Sequence, residues 1–143
     1  MRRITVAITV DERMGIAFNK KRQSRDSKLI EDLVNCADGY IYVTSYSNAL
    51  FGDYQDKVKV VTDPLSECPD RNVCFIEVTD ISAYEDEIEK LIIYRWNRHY
   101  PSDKKLDIDL SQSSFALLSS NDFEGSSHEI ITRDIYINSR ICK

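Results

Sequence analysis

Between Asn19 and Asp26 the chain reads Asn-Lys-Lys-Arg-Gln-Ser-Arg-Asp, four cations, two amides, a hydroxyl and a terminal carboxylate in eight residues. An apolar helical stripe follows at once, so these groups crowd the start of a helix. Free backbone N–H groups and the helix dipole already favour an anion at such a place, and added cations suit a phosphate or carboxylate ligand. A solvated basic loop is the competing reading. Asn19, Arg22, Gln23, Ser24 and Arg25 are the candidate ligand-binding side chains. Asp26 stands where the N-cap of the helix falls, a role aspartate often fills.

Other chemistry is sparse. His99 and His128 are the only histidines, too few for a tight His-x-His-x-Asp-His cluster, which excludes metal-dependent RNA cleavage of that kind. No Ser-His-Asp, Cys-His or phosphate-loop motif is legible as a sequence pattern. The four cysteines lack C-x-x-C spacing. Cys36 and Cys74 are expected in the core and no metal is expected, a site joining Cys68 or Cys142 to a histidine being the residual alternative. Tyr40, Tyr42, Tyr46, Phe51 and Tyr54 are expected to fill the core rather than stack on a flat ring. Trp96-Asn97-Arg98-His99-Tyr100 is either an exposed recognition patch or homodimer contact, or a strand end folding its aromatics inward.

Composition bounds the rest. A net charge of -5 argues against general nucleic-acid binding, and the apolar runs are too short to span a bilayer, so a cytoplasmic protein without nucleic-acid or membrane partners is expected. With 143 residues, 42% hydrophobic and only three prolines and four glycines, one ordered domain over 1–143 is expected.

The elements that must hold the basic stretch are partly legible. Ile4, Val6, Ile8 and Val10 alternate with Thr5, Ala7 and Thr9, a buried strand with one small-residue face. Thr5 and Ala7 on that face let a helix or a ligand approach closely, helix packing being the blander reading. Leu29, Ile30, Leu33, Val34 and Ala37 share a helical stripe, capped by Ser24 or Asp26. Strands are expected over 40–44, 58–61 and 73–78, and Ser45–Gly52 has room for a short helix. Ser82-Ala83-Tyr84-Glu85 reads as a capping box opening a helix to about Lys90, with a strand after it. Leu106–Leu110 reads as a short extended segment, and 115–119 with 129–138 as a terminal hairpin turning over Asn121–Ser127. The sum is a three-layer α/β domain, a mixed sheet with flanking helices and a C-terminal antiparallel hairpin.

Ile4-Thr5-Val6-Ala7-Ile8-Thr9-Val10-Asp11 followed by Met14-Gly15-Ile16 resembles the first strand and turn of the dihydrofolate reductase fold. Ile88-Glu89-Lys90-Leu91-Ile92-Ile93-Tyr94 resembles that family's late helix and following strand, and the closing hairpin is similar too. The resemblance implies that Asp26 sits where the family places the carboxylate that polarises a pterin ring. It also implies an NADP cofactor, with Ser45 at the phosphate end of the second strand. Three features depart from the family pattern: the loop carries cations in place of tryptophan and proline, Thr44-Ser45-Tyr46-Ser47 replaces a glycine-arginine-threonine sequence, and Glu77-Val78-Thr79-Asp80 stands where a glycine pair belongs. The function expected is a small-molecule-binding domain on that scaffold, holding an anionic or heterocyclic ligand near 19–26. The alternative is a divergent NADPH-dependent reductase of a pterin or pyrimidine-like substrate.

Overall fold

The computed structural model describes residues 2–141; Cys142, and with it part of the residual metal reading, lies outside them. The first strand, β1 (Ile4–Val10), is the centre of the molecule. Its apolar side chains Ile4, Val6, Ile8 and Val10 enter one core, and Ala7 enters another on the opposite side of the sheet. Burial on both faces is why its sequence is apolar nearly throughout.

The chain then turns into a small sheet, β2 (Gly15–Phe18) and β3 (Lys21–Arg22), before entering α1 (Ser27–Cys36). Next come β4 (Ile41–Val43), α2 (Ser45–Asn48) and a 3-10 segment Ala49–Lys57, leading into β5 (Val58–Val60). Pro64 opens α3 (Pro64–Glu67), which precedes β6 (Val73–Ile76). The last strands are β7 (Ile88–Arg95), β8 (Lys104–Lys105), β9 (Phe115–Glu124) and β10 (Ile130–Asn138). Seven strands form the main sheet in the order β5-β4-β6-β1-β7-β10-β9, while β3-β2-β8 pair separately. Strands β4, β5, β6, β1 and β7 run parallel, and β10 is antiparallel to both its neighbours. The architecture is therefore the mixed α/β sheet with a C-terminal antiparallel hairpin that the sequence led us to expect.

Helix α1 carries no acidic residue in its first turn and no basic one in its last. Packing holds it: burying Leu29, Ile30, Leu33 and Val34 contributes about 6–12 kcal/mol gross, against about 1 kcal/mol for a cap. Its outer face is tied to the sheet by Asp32, which accepts from Arg133 Nη1 at 2.6 Å and from the Tyr94 hydroxyl at 2.7 Å.

Several local expectations are corrected. The helix expected to run to about Lys90 is a 3-10 turn, Ser82–Glu87, and β7 begins at Ile88. The capping box at Ser82 does not form, because the Asp107 carboxylate accepts the N–H groups of Ile81 and Ser82 at 2.9 and 3.0 Å instead. Leu106–Leu110 is not a strand; Leu106 and Ile108 drop apolar side chains into the core from irregular backbone. Strand β9 runs on to Glu124, so the hairpin turn is shorter than Asn121–Ser127. Cys36 is exposed at the end of α1, and Tyr40 and Tyr46 are exposed while Phe51 alone of the aromatic group is fully buried. Trp96 folds inward, 2% exposed. No helix among the described residues is long and apolar enough to cross a membrane, and no group of three or more metal-ligating side chains occurs among them.

Candidate functional site

The basic stretch is not one loop. It begins as a two-residue hairpin turn between β2 and β3, with Asn19 and Lys20 at φ 52° and 62°. Positive φ at both central positions is the turn whose twist matches its strands, and asparagine tolerates that backbone well. The Asn19 N–H donates to Asp103 Oδ2 at 3.0 Å. Arg22 then turns inward. Its Nε and Nη2 donate to Glu77 Oε1 and Oε2 at 2.8 and 2.9 Å, and its guanidinium lies 4.1 Å from the centre of the Tyr46 ring. Glu77, just past the end of β6 and 4% exposed, also accepts from Ser47 Oγ at 2.8 Å. A bidentate guanidinium and a hydroxyl give this buried carboxylate partners for both oxygens.

At the other end of the stretch, Asp26 caps α1, accepting the Lys28 N–H on Oδ1 at 2.9 Å. The same carboxylate gathers the 125–128 turn from the far end of the chain. The N–H groups of Ser126, Ser127 and His128 donate to it at 2.9, 2.8 and 3.1 Å, and His128 Nδ1 lies 3.0 Å from Oδ2. The hydroxyls of Ser126 and Ser127 add two further donors. Burial pushes the Asp26 pKa up, but the hydrogen bonds from the Ser126 N–H, His128, the Ser127 N–H and the Ser126 hydroxyl outweigh it, holding the carboxyl well below its usual range. A Cβ on Gly125 would stand 2.6 Å from Asp26 Oδ2 and from the His128 carbonyl oxygen, so only glycine lets this turn close on the carboxylate.

His128 is itself buried and stacks on Trp96, ring centres 4.6 Å apart and planes 25° apart. Its Nε2 lies 3.1 Å from Ser24 Oγ and 2.7 Å from the Tyr100 hydroxyl. Gln23 reaches the other way, its Nε2 donating to Asp11 Oδ2 at 3.3 Å and to the Pro101 carbonyl at 3.4 Å. Asp11, 1% exposed, also accepts the N–H groups of Arg13, Gly15 and Tyr100, which lower its pKa against the opposing effect of burial.

Beside these anchors a cleft of about 360 Å³ opens between α1 and the segment after β4. Ile30, Ala49 and Leu50 give it apolar walls; Ser27, Ser126 and Ser127 give hydroxyls. Arg25 stands at it exposed, with no ion pair among the described residues. The segment on one side follows the C-terminal end of the parallel strand β4, where open α/β sheets take ligands, while α1 follows β3 of the small sheet.

Of the residues singled out in the sequence, Arg25 and Asp26 line this cleft, and Gln23 and Ser24 lie behind it. Arg22 is committed to Glu77. Asn19 is in the hairpin turn. Ser45 is exposed at the start of α2, and Ser47, two residues on, is the one that reaches inward. Thr5 and Ala7 are not brought to the site: Ala7 packs in the core that α1 covers, and Thr5 pairs with Val73 and Lys90 at the opposite end of the sheet. His128, Tyr100, Ser126, Ser127 and Glu77 were missed as partners. The scarcity of histidine was the one signal that marked His128.

The nicotinamide cofactor implied by the resemblance does not fit the residues present. In the crevice beyond β6 and β1, a pyrophosphate would meet the Glu77 carboxylate, and the nearest guanidinium, Arg22, is already neutralised by it. No protein-family model matches the chain, and no curated protein matches it by sequence. Among solved structures, it is similar to the dihydrofolate reductase of Enterococcus faecalis, determined with NADP(H) and RAB-propyl bound, at a TM-score of 0.63 and 11% identity over 94% of this chain and 95% of that one. With the order of strands, the parallel core and the closing antiparallel hairpin, this establishes that the chain has a dihydrofolate reductase-like fold.

Proposed function

We propose that the chain is a small-molecule-binding domain whose ligand lies in the cleft between α1 and the 45–57 segment, its anionic end toward Arg25. The cleft itself carries this reading: about 360 Å³, apolar on two walls, hydroxyl-lined on a third, with a cation free at its edge. That volume and mixture suit a flat heterocycle with a carboxylate or phosphate. The helix terminus does not add a second anion site, because Asp26 already occupies the place an external anion would take. A reductase acting through Asp26 would need that carboxylate to face a substrate, and both its oxygens are engaged by the chain's own donors.

Thermal shift with folic acid, flavin mononucleotide and NADPH tests the proposal. At least one of the two flat anionic heterocycles, folic acid or flavin mononucleotide, should raise the melting temperature. Arg25→Ala should shrink that rise more at low salt than at high, and Leu50→Trp, which fills the cleft, should remove it. NADPH should give no rise. Equal responses from wild type and Leu50→Trp, or no response to either heterocycle, would overturn the assignment.

A further inference from the structure

Ser24, His128 and Asp26 stand in one hydrogen-bonded line. Asp26 Oδ2 lies 3.0 Å from His128 Nδ1, and His128 Nε2 lies 3.1 Å from Ser24 Oγ. An ionised carboxylate only accepts, so Nδ1 carries a proton, and in its neutral form the ring presents the lone pair of Nε2 to the hydroxyl. The imidazole is locked in that pose. Its own backbone N–H is bonded to the same carboxylate oxygen at 3.1 Å, and its ring is stacked on Trp96 at 4.6 Å. Asp26 and His128 are buried while Ser24 is only half-buried, so the reacting oxygen is at the outer end of the line. A histidine held in this tautomer against a hydroxyl is the arrangement that makes serine a nucleophile.

We propose that Ser24 is a nucleophile activated by His128, and that it accepts acyl groups from small carboxylic esters or thioesters. Ser24 Oγ attacks the acyl carbon as its proton passes to Nε2. The bond from that carbon to the leaving oxygen or sulfur then breaks, and the leaving group takes the proton from Nε2. Water attacks the acyl-Ser24 carbonyl in turn, giving a proton to Nε2 that returns to Ser24 Oγ as the acid departs. Tyr100 has a defined part. Its hydroxyl shares Nε2 with Ser24 at 2.7 Å, and once Nε2 is protonated the phenol O–H is released to donate to the oxygen on which charge develops. This chemistry goes beyond ligand binding and does not depend on which ligand Arg25 attracts.

The test uses the full chain and a fluorophosphonate, with which Oγ–P bond formation expels fluoride. Intact mass and peptide mapping should find one adduct, on Ser24, that is absent from Ser24→Ala. Release of p-nitrophenolate from p-nitrophenyl acetate should fall at least about a hundredfold in the same variant. Because Ser24 is half-buried in irregular backbone, that variant should keep the wild-type melting temperature, and imidazole nitrogen NMR should show His128 protonated on Nδ1 in both proteins. An unlabelled wild type, an adduct that survives Ser24→Ala or maps to Tyr100, or a His128 ring protonated only on Nε2 would overturn the proposal.

Discussion

Asp26 collects the backbone N–H groups of Lys28, Ser126, Ser127 and His128 on two oxygens, and each of those bonds favours its charged form. Its pKa is therefore lower in the folded chain than in the unfolded one. The resulting stabilisation is fully present above the unfolded value, near 3.8, and is lost as pH falls from there through the folded value. Asp11 and Asp107 act in the same direction: in each, burial raises the pKa and hydrogen-bond donors, chiefly backbone N–H groups, lower it by more. The urea midpoint of the wild type should fall steeply between about pH 5 and pH 2. Asp26→Asn should start lower at neutral pH, by about 1–3 kcal/mol, since it removes the charge on which the donors of the 126–128 turn converge. It should then lose less on acidification. A variant that loses as much as the wild type between those pH values would show that Asp26 is not the group whose protonation unfolds the turn.

At the level of elements, the parts legible in the sequence are those whose pattern is local. Strand β1 and helix α1 announce themselves by apolar spacing, and Asp26 by its place before a stripe. The hairpin of β2 and β3 does not, because its strands are too short to show a period: β2 offers only Ile16 and Ala17 to the core, and β3 is two basic residues. Ser82–Glu87 misled for the opposite reason, its capping pattern being overridden by Asp107, a residue from another part of the chain. The hairpin yields a prediction of its own. Lys20 sits at φ 62°, in the left-handed region that an ordinary side chain enters at a cost of roughly 1–2 kcal/mol and glycine enters freely. Lys20→Gly should therefore raise stability by about 1 kcal/mol, part of the relief being offset by the greater freedom of glycine in the unfolded chain. Chemical denaturation reads this directly, and a drop in the midpoint would mean that the turn is not formed in solution.

For the molecule as a whole, the site was less legible than the fold, because it is assembled from pairs far apart in sequence. Asp26 and His128 are separated by 102 positions, and Arg22 and Glu77 by 55. A single sequence records neither pairing, so Arg22 read as a free cation and Glu77 only as an obstacle to a cofactor. In the fold they form one joint that ties the stretch before α1 to α2 and to the end of β6, across the crevice at the sheet's C-terminal edge. Removing one half of a buried ion pair leaves an uncompensated charge, whereas replacing both by apolar groups of similar size is often neutral. Glu77 is 3% exposed at its side chain, so Arg22→Ala should cost about 3–5 kcal/mol, while Arg22→Met combined with Glu77→Leu should recover most of that loss. A double-mutant cycle by urea denaturation measures the coupling. A cost below about 1 kcal/mol for Arg22→Ala, as for a surface pair, would mean that the joint opens in solution and that the crevice is free for a ligand after all.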